Sequence, residues 1–237
     1  MRDFTEIWSY LAGDPLIWLS ATLIAYVIAD AAAQRMGRAP WINPVLIAVI
    51  LLGALLWITD TTYDTYFEGA QFVHFLLGPA TVALAIPLWH QRHTFRKALL
   101  PVMAALLAGS ATAVLSALAI GHALGLSPQL LATLAPKGTT APVALGISQS
   151  LGGSPTLTAV LVILTGIIGA IVVTPLMNLL RIRDWRARGL AVGVAAHGIG
   201  TARALQVNPQ AGAFAGIGMA LNALLTALLA PWALGLF

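Results

Sequence analysis

The chain has 237 residues, of which 59% are hydrophobic and 8% are charged, and its mean hydropathy is +0.89. Soluble domains carry roughly a quarter charged residues, so this composition excludes an ordinary soluble enzyme, and its apolar content excludes a disordered chain. The absence of cysteine excludes disulfides, thiolate metal sites and cysteine nucleophiles. The net charge of +4 comes from a few short basic clusters, so nucleic acid is not an expected partner.

Long stretches without a charged side chain separate these clusters. They run between Lys97 and Lys137, between Lys137 and Arg181, and from Ala204 to Phe237. A helix that crosses the ~30 Å hydrocarbon core needs about 20 apolar residues, so each stretch can hold a span. None alternates apolar and polar residues as the strands of a membrane barrel do. We therefore predict an all-α, multi-pass protein of the inner (cytoplasmic) membrane.

The elements are placed by charge, glycine, proline and aromatic residues. Residues 1–13 mix acidic and aromatic side chains, so we expect an interfacial segment and no cleavable signal peptide. The predicted spans are about Pro15–Gln34, Pro44–Thr59, Glu68–Trp89, Arg96–Gly121, Pro155–Leu180, Gly189–Gln206 and Ala211–Leu236. Residues 1–237 are expected to form a single transmembrane domain.

Basic loops set the expected orientation, because short cytoplasmic loops are enriched in Lys and Arg. The basic loops are residues 35–38, 92–97 and 181–188, and the acidic loop is residues 60–64. With the basic loops inside, the apolar stretch Gln129–Gly153 must enter and leave on the outer side. We predict a re-entrant hairpin there, with its tip near Pro136-Lys137-Gly138. If this stretch spans the membrane instead, one basic loop lies on the wrong side.

The two halves of the chain share two short motifs. Asn43-Pro44 resembles Ser154-Pro155, and Gly78-Pro79-Ala80-Thr81 resembles Gly198-Ile199-Gly200-Thr201. Because the copies are expected in opposite orientation, we predict an inverted-topology repeat of residues 15–125 and 126–237, a common architecture of secondary transporters. At ~1.5 Å per residue, both glycine motifs fall near the midplane. Two broken helices there would direct half-helix N-termini, with their partial positive charge, at an anion.

Polar side chains at membrane depth are candidates for function, since a charge there costs at least ~2.5 kcal/mol. The predicted substrate-binding residues are Lys137, Thr139, Thr140, Gly78, Thr81, Gly198, Gly200, Thr201 and Arg203, and the predicted proton-coupling residues are His197 and Asp30. The cations suit a carboxylate, and the hydroxyls and backbone N–H groups suit the rest of a small hydroxylated anion. Histidine is the side chain that titrates nearest to neutrality.

Each candidate has a structural alternative. Arg203 could extend to the outer interface, and Lys137 could pair with Asp30 near the end of the first span. His197 could be a packing residue, and the threonines could bond only to carbonyls of their own helices. No sequence pattern indicates a metal site, a cofactor or an intramembrane enzyme.

Two segments carry a resemblance to a known family. Pro136-Lys137-Gly-Thr-Thr140-Ala-Pro142 and His197-Gly-Ile-Gly200-Thr201-Ala-Arg203-Ala204 resemble the LrgB/CidB membrane-protein family. The segments Leu76–Ala85 and Thr226–Pro231 fit the same family, so the resemblance covers nearly the whole chain. Three positions depart from the family pattern, because Ala141, Ala196 and Ala211 stand where Thr, Ser and Glu are usual.

The resemblance implies two functions, which stay open here. One is a secondary carrier for a small organic anion, such as the 2-hydroxycarboxylates glycolate, lactate or glycerate, since the family is similar to the membrane half of the plastid glycolate/glycerate carrier. Such a carrier would work by alternating access, with proton coupling, and as a homodimer by analogy. The other is a holin- or antiholin-like pore component that controls murein hydrolases and lysis. A small LrgA/CidA-type partner is implied for bacterial members.

Overall fold

The computed structural model describes residues 14–83, 85–90 and 92–237, so the interfacial segment expected at residues 1–13 lies outside the described residues. Within the described ranges all regular structure is helical. Among the described residues, four helices are long and apolar enough to cross a membrane: Pro15–Arg35, Leu99–Ala123, Pro155–Leu179 and Pro209–Leu234. The prediction of an all-α, multi-pass membrane protein is confirmed. The chain forms two compact units, residues 1–83 and 84–237.

The first unit contains α1 (Pro15–Arg35), α2 (Pro44–Ile58) and α3 (Tyr63–Ala83). Helices α1 and α2 each begin with proline after a capping side chain, since Asp14 and Asn43 accept hydrogen bonds from backbone N–H groups of the first turn. Small residues let α1 approach its neighbours, because Ala29 is buried with Ala48 of α2. Gly69 of α3 packs so closely on α1 that a Cβ would collide with it.

The break predicted at Gly78-Pro79 is absent. Helix α3 continues through residues 78–81, with Pro79 in its interior. Proline removes one backbone hydrogen bond and strains the preceding turn, but a helix can absorb this as a bend and need not stop. The sequence match between this motif and Gly198–Thr201 therefore does not reflect a shared break.

The second unit contains the rest of the described chain. Its helices are α4 (Ala85–His90), α5 (Arg92–Lys97), α6 (Leu99–Ala123), α7 (Pro128–Leu134), α8 (Ala141–Ser150), α9 (Pro155–Leu179), α10 (Trp185–Val207) and α11 (Pro209–Leu234). Three of these helices start with proline after a side-chain cap, from Ser127, Ser154 and Asn208. These caps explain why charged residues, serine and proline in the sequence predicted most of the helix starts to within a few residues.

Helices α6 and α11 run in the same direction. Val102 of α6 packs with Phe214 of α11 in one apolar cluster. Further along both helices, Leu118 packs with Ala230 in a second cluster. Helix α9 runs in the opposite direction, because its last turns, at Met177, lie in the same cavity lining as Ala211 at the start of α11.

Helices α7 and α8 form a hairpin, here called the first hairpin (residues 128–150). With 7 and 10 residues they are too short to cross a membrane. Leu126 before α7 and Leu151 after α8 pack on one apolar cluster, which also contains Ala135 between the two helices. The segment between the helices, residues 135–140, is the first tip. Its placement in the outer half of a membrane stays a prediction.

Helix α10 also reverses direction. Its backbone is non-helical at Ala196 (φ −132°, ψ 16°) and His197 (φ 39°, ψ −130°). A Cβ on Gly200 would lie 3.0 Å from the carbonyl oxygen of Val192, whereas a straight helix would separate these positions by ~12 Å. The two halves therefore lie side by side in opposite directions. We call residues 185–207 the second hairpin and residues 196–197 the second tip.

This reversal corrects one predicted span and confirms one predicted break. The segment Gly189–Gln206 was expected to cross the membrane, but the chain returns to the end from which it started. Trp185 at the start of α10 and Val207 at its end line one small cavity. The break itself falls next to Gly198, where the sequence predicted it.

The second hairpin packs tightly on α11. A Cβ on Gly189 would collide with the backbone of Ala211, and a Cβ on Gly193 would collide with the backbone of Ala215. Small residues at four-residue spacing allow helix backbones to approach in this way. The first half of α10 and the start of α11 thus form a close helix pair, and this packing supports the second tip.

Candidate functional site

The two tips meet at a single buried side chain, Asn222 of α11. Its amide nitrogen donates hydrogen bonds to the carbonyl oxygens of Gly138 in the first tip, at 3.0 Å, and of Val194 beside the second tip, at 3.2 Å. Ser110 of α6 donates to its carbonyl oxygen at 2.6 Å. Asn222 is 1% exposed and Ser110 is fully buried. One amide therefore joins both chain breaks and two spanning helices.

His197 is fixed against α9. Its Nε2 lies 2.9 Å from the carbonyl oxygen of Val162. Because a carbonyl only accepts, Nε2 must carry the proton, and Nδ1 is the one ring position that can take up another. Gly166 of α9 leaves room for the ring, since a Cβ there would lie 2.7 Å from Cε1. The positive φ of His197 is costly for a residue with a Cβ, so packing holds this conformation.

Two of the predicted threonines use their hydroxyls inside their own segments. Thr201 donates to the carbonyl oxygen of His197 at 2.7 Å, and Thr139 donates to that of Pro136 at 3.1 Å. This is the structural alternative named above, and these hydroxyls stabilise the two tips. Thr140 differs, because it is half-buried at the start of α8 and its side chain makes no capping hydrogen bond.

Lys137 places a cation in the first tip. It is half-buried, and within the described part of the chain its ammonium has neither an ion pair nor a hydrogen bond. Asp30 forms an ion pair of 3.0 Å with Arg38, and the alternative in which Lys137 pairs with Asp30 stays a prediction. Asp30 also accepts a hydrogen bond from Gln34. A proton-coupling role for Asp30 remains an untested prediction.

Arg203 does not lie at the tips. It lines a cavity of about 30 Å³ with Trp185 and Arg188, near the open end of the second hairpin. Because the chain turns back at His197, Arg203 lies toward the end of the hairpin that carries Trp185, and the alternative in which it extends to the outer interface stays a prediction. Of the other predicted residues, Gly198 and Gly200 lie in the first helical turn after the second tip. Gly78 and Thr81 belong to the first compact unit.

Sequence reasoning missed the residue that connects the site, Asn222. The signal was present, because Asn222 is an amide in the middle of an apolar helix that is long enough to span a membrane. Polar side chains in such helices are costly unless they bond to a partner inside the protein. Ser110 had a weaker signal, since a buried serine can also bond back to its own helix.

Charge is distributed unevenly around the second unit. The basic side chains Lys97, Arg183, Arg186 and Arg188 cluster near the open end of the second hairpin, while residues 122–128 and 150–155 carry no charge. Hydrogen bonds from Arg186 lower the pKa of the Asp184 carboxyl, so Asp184 is ionised at neutral pH and partly offsets these cations. The charge rule predicts that the basic end faces the cytoplasm.

Comparison with known proteins decides the family. Residues 22–236 match the LrgB-like family. The chain belongs to this family. The match includes both tips, Asn222 and nearly all of both compact units, and it confirms the resemblance found in the sequence.

Several relatives of this LrgB-like chain are similar over almost their whole length. YxaC of Bacillus subtilis is 35% identical over 222 residues, which cover 94% of this chain and 96% of that protein. The "Holin-like protein CidB" of Staphylococcus aureus is 32% identical with the same coverage. YwbG of Bacillus subtilis is 32% identical over 219 residues, covering 92% of this chain and 97% of that protein. No solved structure matches the chain.

Proposed function

We propose that this LrgB-like protein is a secondary carrier for small organic anions of the 2-hydroxycarboxylate class, such as glycolate, lactate or glycerate. One observation carries the proposal: Asn222 bonds both to Gly138, next to the cation Lys137 in the first tip, and to Val194 beside the second tip. A site of this kind, made from broken helices near the middle of the membrane, is typical of secondary transporters.

The charges at the tips favour an anion. Lys137 lies at the first tip, and helix α8 begins next to it at Ala141. The second half of α10 begins just after His197. The N-terminus of each helical segment carries partial positive charge from its unpaired N–H groups. A carboxylate between the tips would be stabilised by Lys137 and both N-termini, and Thr140 could bond a neighbouring hydroxyl.

The arrangement of elements supports alternating access. The pair of α6 and the first hairpin is followed by the pair of α9 and the second hairpin, and α6 and α9 are both 25 residues long but run in opposite directions. In this proposal the first hairpin faces the outside and the second faces the cytoplasm. Movement of one hairpin away from Asn222 opens the site to one side only. A proton would bind at Nδ1 of His197.

Two partners belong to the proposal. A homodimer is expected by analogy with carriers that move one part of each subunit against the rest. A small LrgA/CidA-type membrane protein is expected as a second partner, since the resemblance implies one for bacterial members. Neither partner is needed to form the meeting point of the tips, because every group in it comes from this chain.

Uptake by proteoliposomes that contain this chain alone tests the proposal. Labelled glycolate or lactate is offered with an inward proton gradient on or off. The loss of one charged hydrogen bond costs ~1.5–3 kcal/mol, so Lys137→Gln should reduce uptake on the order of tenfold or more. Lys137→Arg should retain part of it, and Arg183→Gln, an exposed cation of the basic loop, should match the wild type. Uptake by Lys137→Gln equal to that of the wild type would contradict the site.

A second candidate function is a holin-like pore component. The name of the Staphylococcus aureus relatives, "Holin-like protein CidB", favours this second function. Release of entrapped dye from the same proteoliposomes distinguishes the two functions. A carrier shows saturable uptake and retains the dye. A pore releases the dye in proportion to the amount of protein, and Lys137→Gln does not change the release.

A further inference from the structure

A groove of about 580 Å³ lies between α6 and α10, and its deep end reaches Val194 beside the second tip. On α6 it runs along Pro101, Ala105 and Gly109, and on α10 it runs along Ala187 and Ala191. Small side chains on both helices at a spacing of about four residues leave this space open. From Ala98 to Ala113 the groove follows α6 for ~22 Å, which exceeds the ~15 Å depth of one hydrocarbon leaflet.

The groove has one polar end. Lys97, Asp184 and Arg186 line it where α6 and α10 begin, and this is the basic end of the second unit. Arg186 bonds Asp184 through Nε and one terminal nitrogen, so its other terminal nitrogen keeps two donors. Lys97 is exposed and makes no ion pair among the described residues. Two cations and one carboxylate leave the mouth of the groove positive.

The walls are apolar and open along their length. Ala105 on α6 and Ala195 on α10 are exposed, so the groove opens sideways over the depth of the helices. Water in a cavity needs two to four polar partners, and these walls offer few. A hydrated anion would lose its hydration here without replacement. A hydrocarbon chain fits such walls, and a negatively charged headgroup fits the mouth.

We propose that this groove binds an anionic phospholipid of the cytoplasmic leaflet, with one acyl chain between α6 and α10 and the phosphate at Lys97 and Arg186. Clusters of Lys and Arg at this level of the membrane attract anionic lipids. The deep end of the groove includes Gly109 and Val194, which are next to Ser110 and at the carbonyl that Asn222 holds. The lipid would therefore contact the helices that hold the second tip, and the proposal does not depend on transport.

The lipid retained by the purified full chain tests this inference. The protein is exchanged in mild detergent with an equimolar mixture of phosphatidylglycerol and phosphatidylethanolamine, and bound lipid is measured by native mass spectrometry. Ala105→Phe fills the groove. Ala104→Phe is the matched control, because Ala104 is exposed on the same helix but does not line the groove. Lys97→Gln/Arg186→Gln removes the cations at the mouth.

The wild type and Ala104→Phe should retain phosphatidylglycerol in preference to phosphatidylethanolamine. Ala105→Phe should lose most of the bound phosphatidylglycerol. The double charge variant should retain lipid but lose the preference, by roughly fivefold for each basic residue removed. Equal retention by Ala105→Phe and Ala104→Phe, or no headgroup preference in the wild type, would overturn the proposal. The proposal would also be overturned if Ala105→Phe left the bound lipid unchanged but dissociated a dimer. A second copy of the chain would then be the occupant of the groove.

Discussion

Asn222 satisfies two carbonyl groups that lose their helical partners where the chain breaks. Val194 O would accept a backbone hydrogen bond if α10 continued, and Gly138 O lies in a segment without helical structure. Buried carbonyls are almost always paired. In a membrane the cost of leaving them unpaired is higher than in water. The Asn222 side chain therefore pairs the carbonyl groups left open by both chain breaks.

Replacement of Asn222 by alanine should destabilise the protein. Unpaired buried groups cost about 1–3 kcal/mol each, and Asn222→Ala leaves two carbonyls and the Ser110 hydroxyl without this partner. We expect a clear fall in the midpoint temperature of unfolding in detergent, measured by tryptophan fluorescence. Ser116→Ala on the exposed face of α6 is the control and should leave the midpoint unchanged. A midpoint for Asn222→Ala within error of the control would show that the tips do not depend on this amide.

The sequence predicted which residues lie beside the chain breaks, but it did not predict which residues bond to them. Lys137 and His197 stand next to glycines in motifs that interrupt an apolar run, and the structure places both at tips. Their partners are distant in sequence, since Val162 bonds His197 across 35 residues and Asn222 bonds Gly138 across 84. Such pairs depend on the folded arrangement, which one sequence does not reveal.

At the level of elements, two motifs of similar sequence adopt different backbone structures. Gly78-Pro79 stays within a continuous helix, whereas Gly198 follows a complete reversal. A proline bend removes one backbone hydrogen bond and strains the preceding turn, but the helix continues. A reversal leaves several backbone groups exposed and needs neighbours to satisfy them. In α10 these neighbours are α9 and α11, so the reversal was visible only in the packing.

The close contact between α10 and α11 should be sensitive to a single methyl group. Gly193→Ala places a Cβ against the backbone of Ala215, and overpacking of this kind costs about 1–3 kcal/mol. Gly146→Ala in α8 is the matched control, because no atom lies within 4 Å of a Cβ there. The control should be neutral or slightly stabilising by up to ~1 kcal/mol. Equal thermal stabilities of the two variants would contradict the described helix contact.

At the level of the whole molecule, the helical class of the fold followed from composition, but the number of helices and the topology did not. The segment 185–207 has the length of a span, and its fold back on itself depends on two dihedral pairs at Ala196 and His197. The predicted repeat of residues 15–125 and 126–237 is a separate hypothesis. The structure instead shows similar successive pairs within the second unit, each made of a 25-residue helix and a hairpin.

The carrier proposal depends most on the reversal of the chain at His197, and sided labelling tests it directly. The chain has no cysteine, so single variants Gln206→Cys, Arg183→Cys and Gln129→Cys can be treated with a membrane-impermeant maleimide in oriented vesicles. Residues 129, 183 and 206 are all exposed. We expect Gln206→Cys to react from the cytoplasmic side together with Arg183→Cys, and Gln129→Cys from the opposite side. Reaction of Gln206→Cys on the same side as Gln129→Cys would mean that α10 crosses the membrane, and the two tips would not form a site between opposed hairpins.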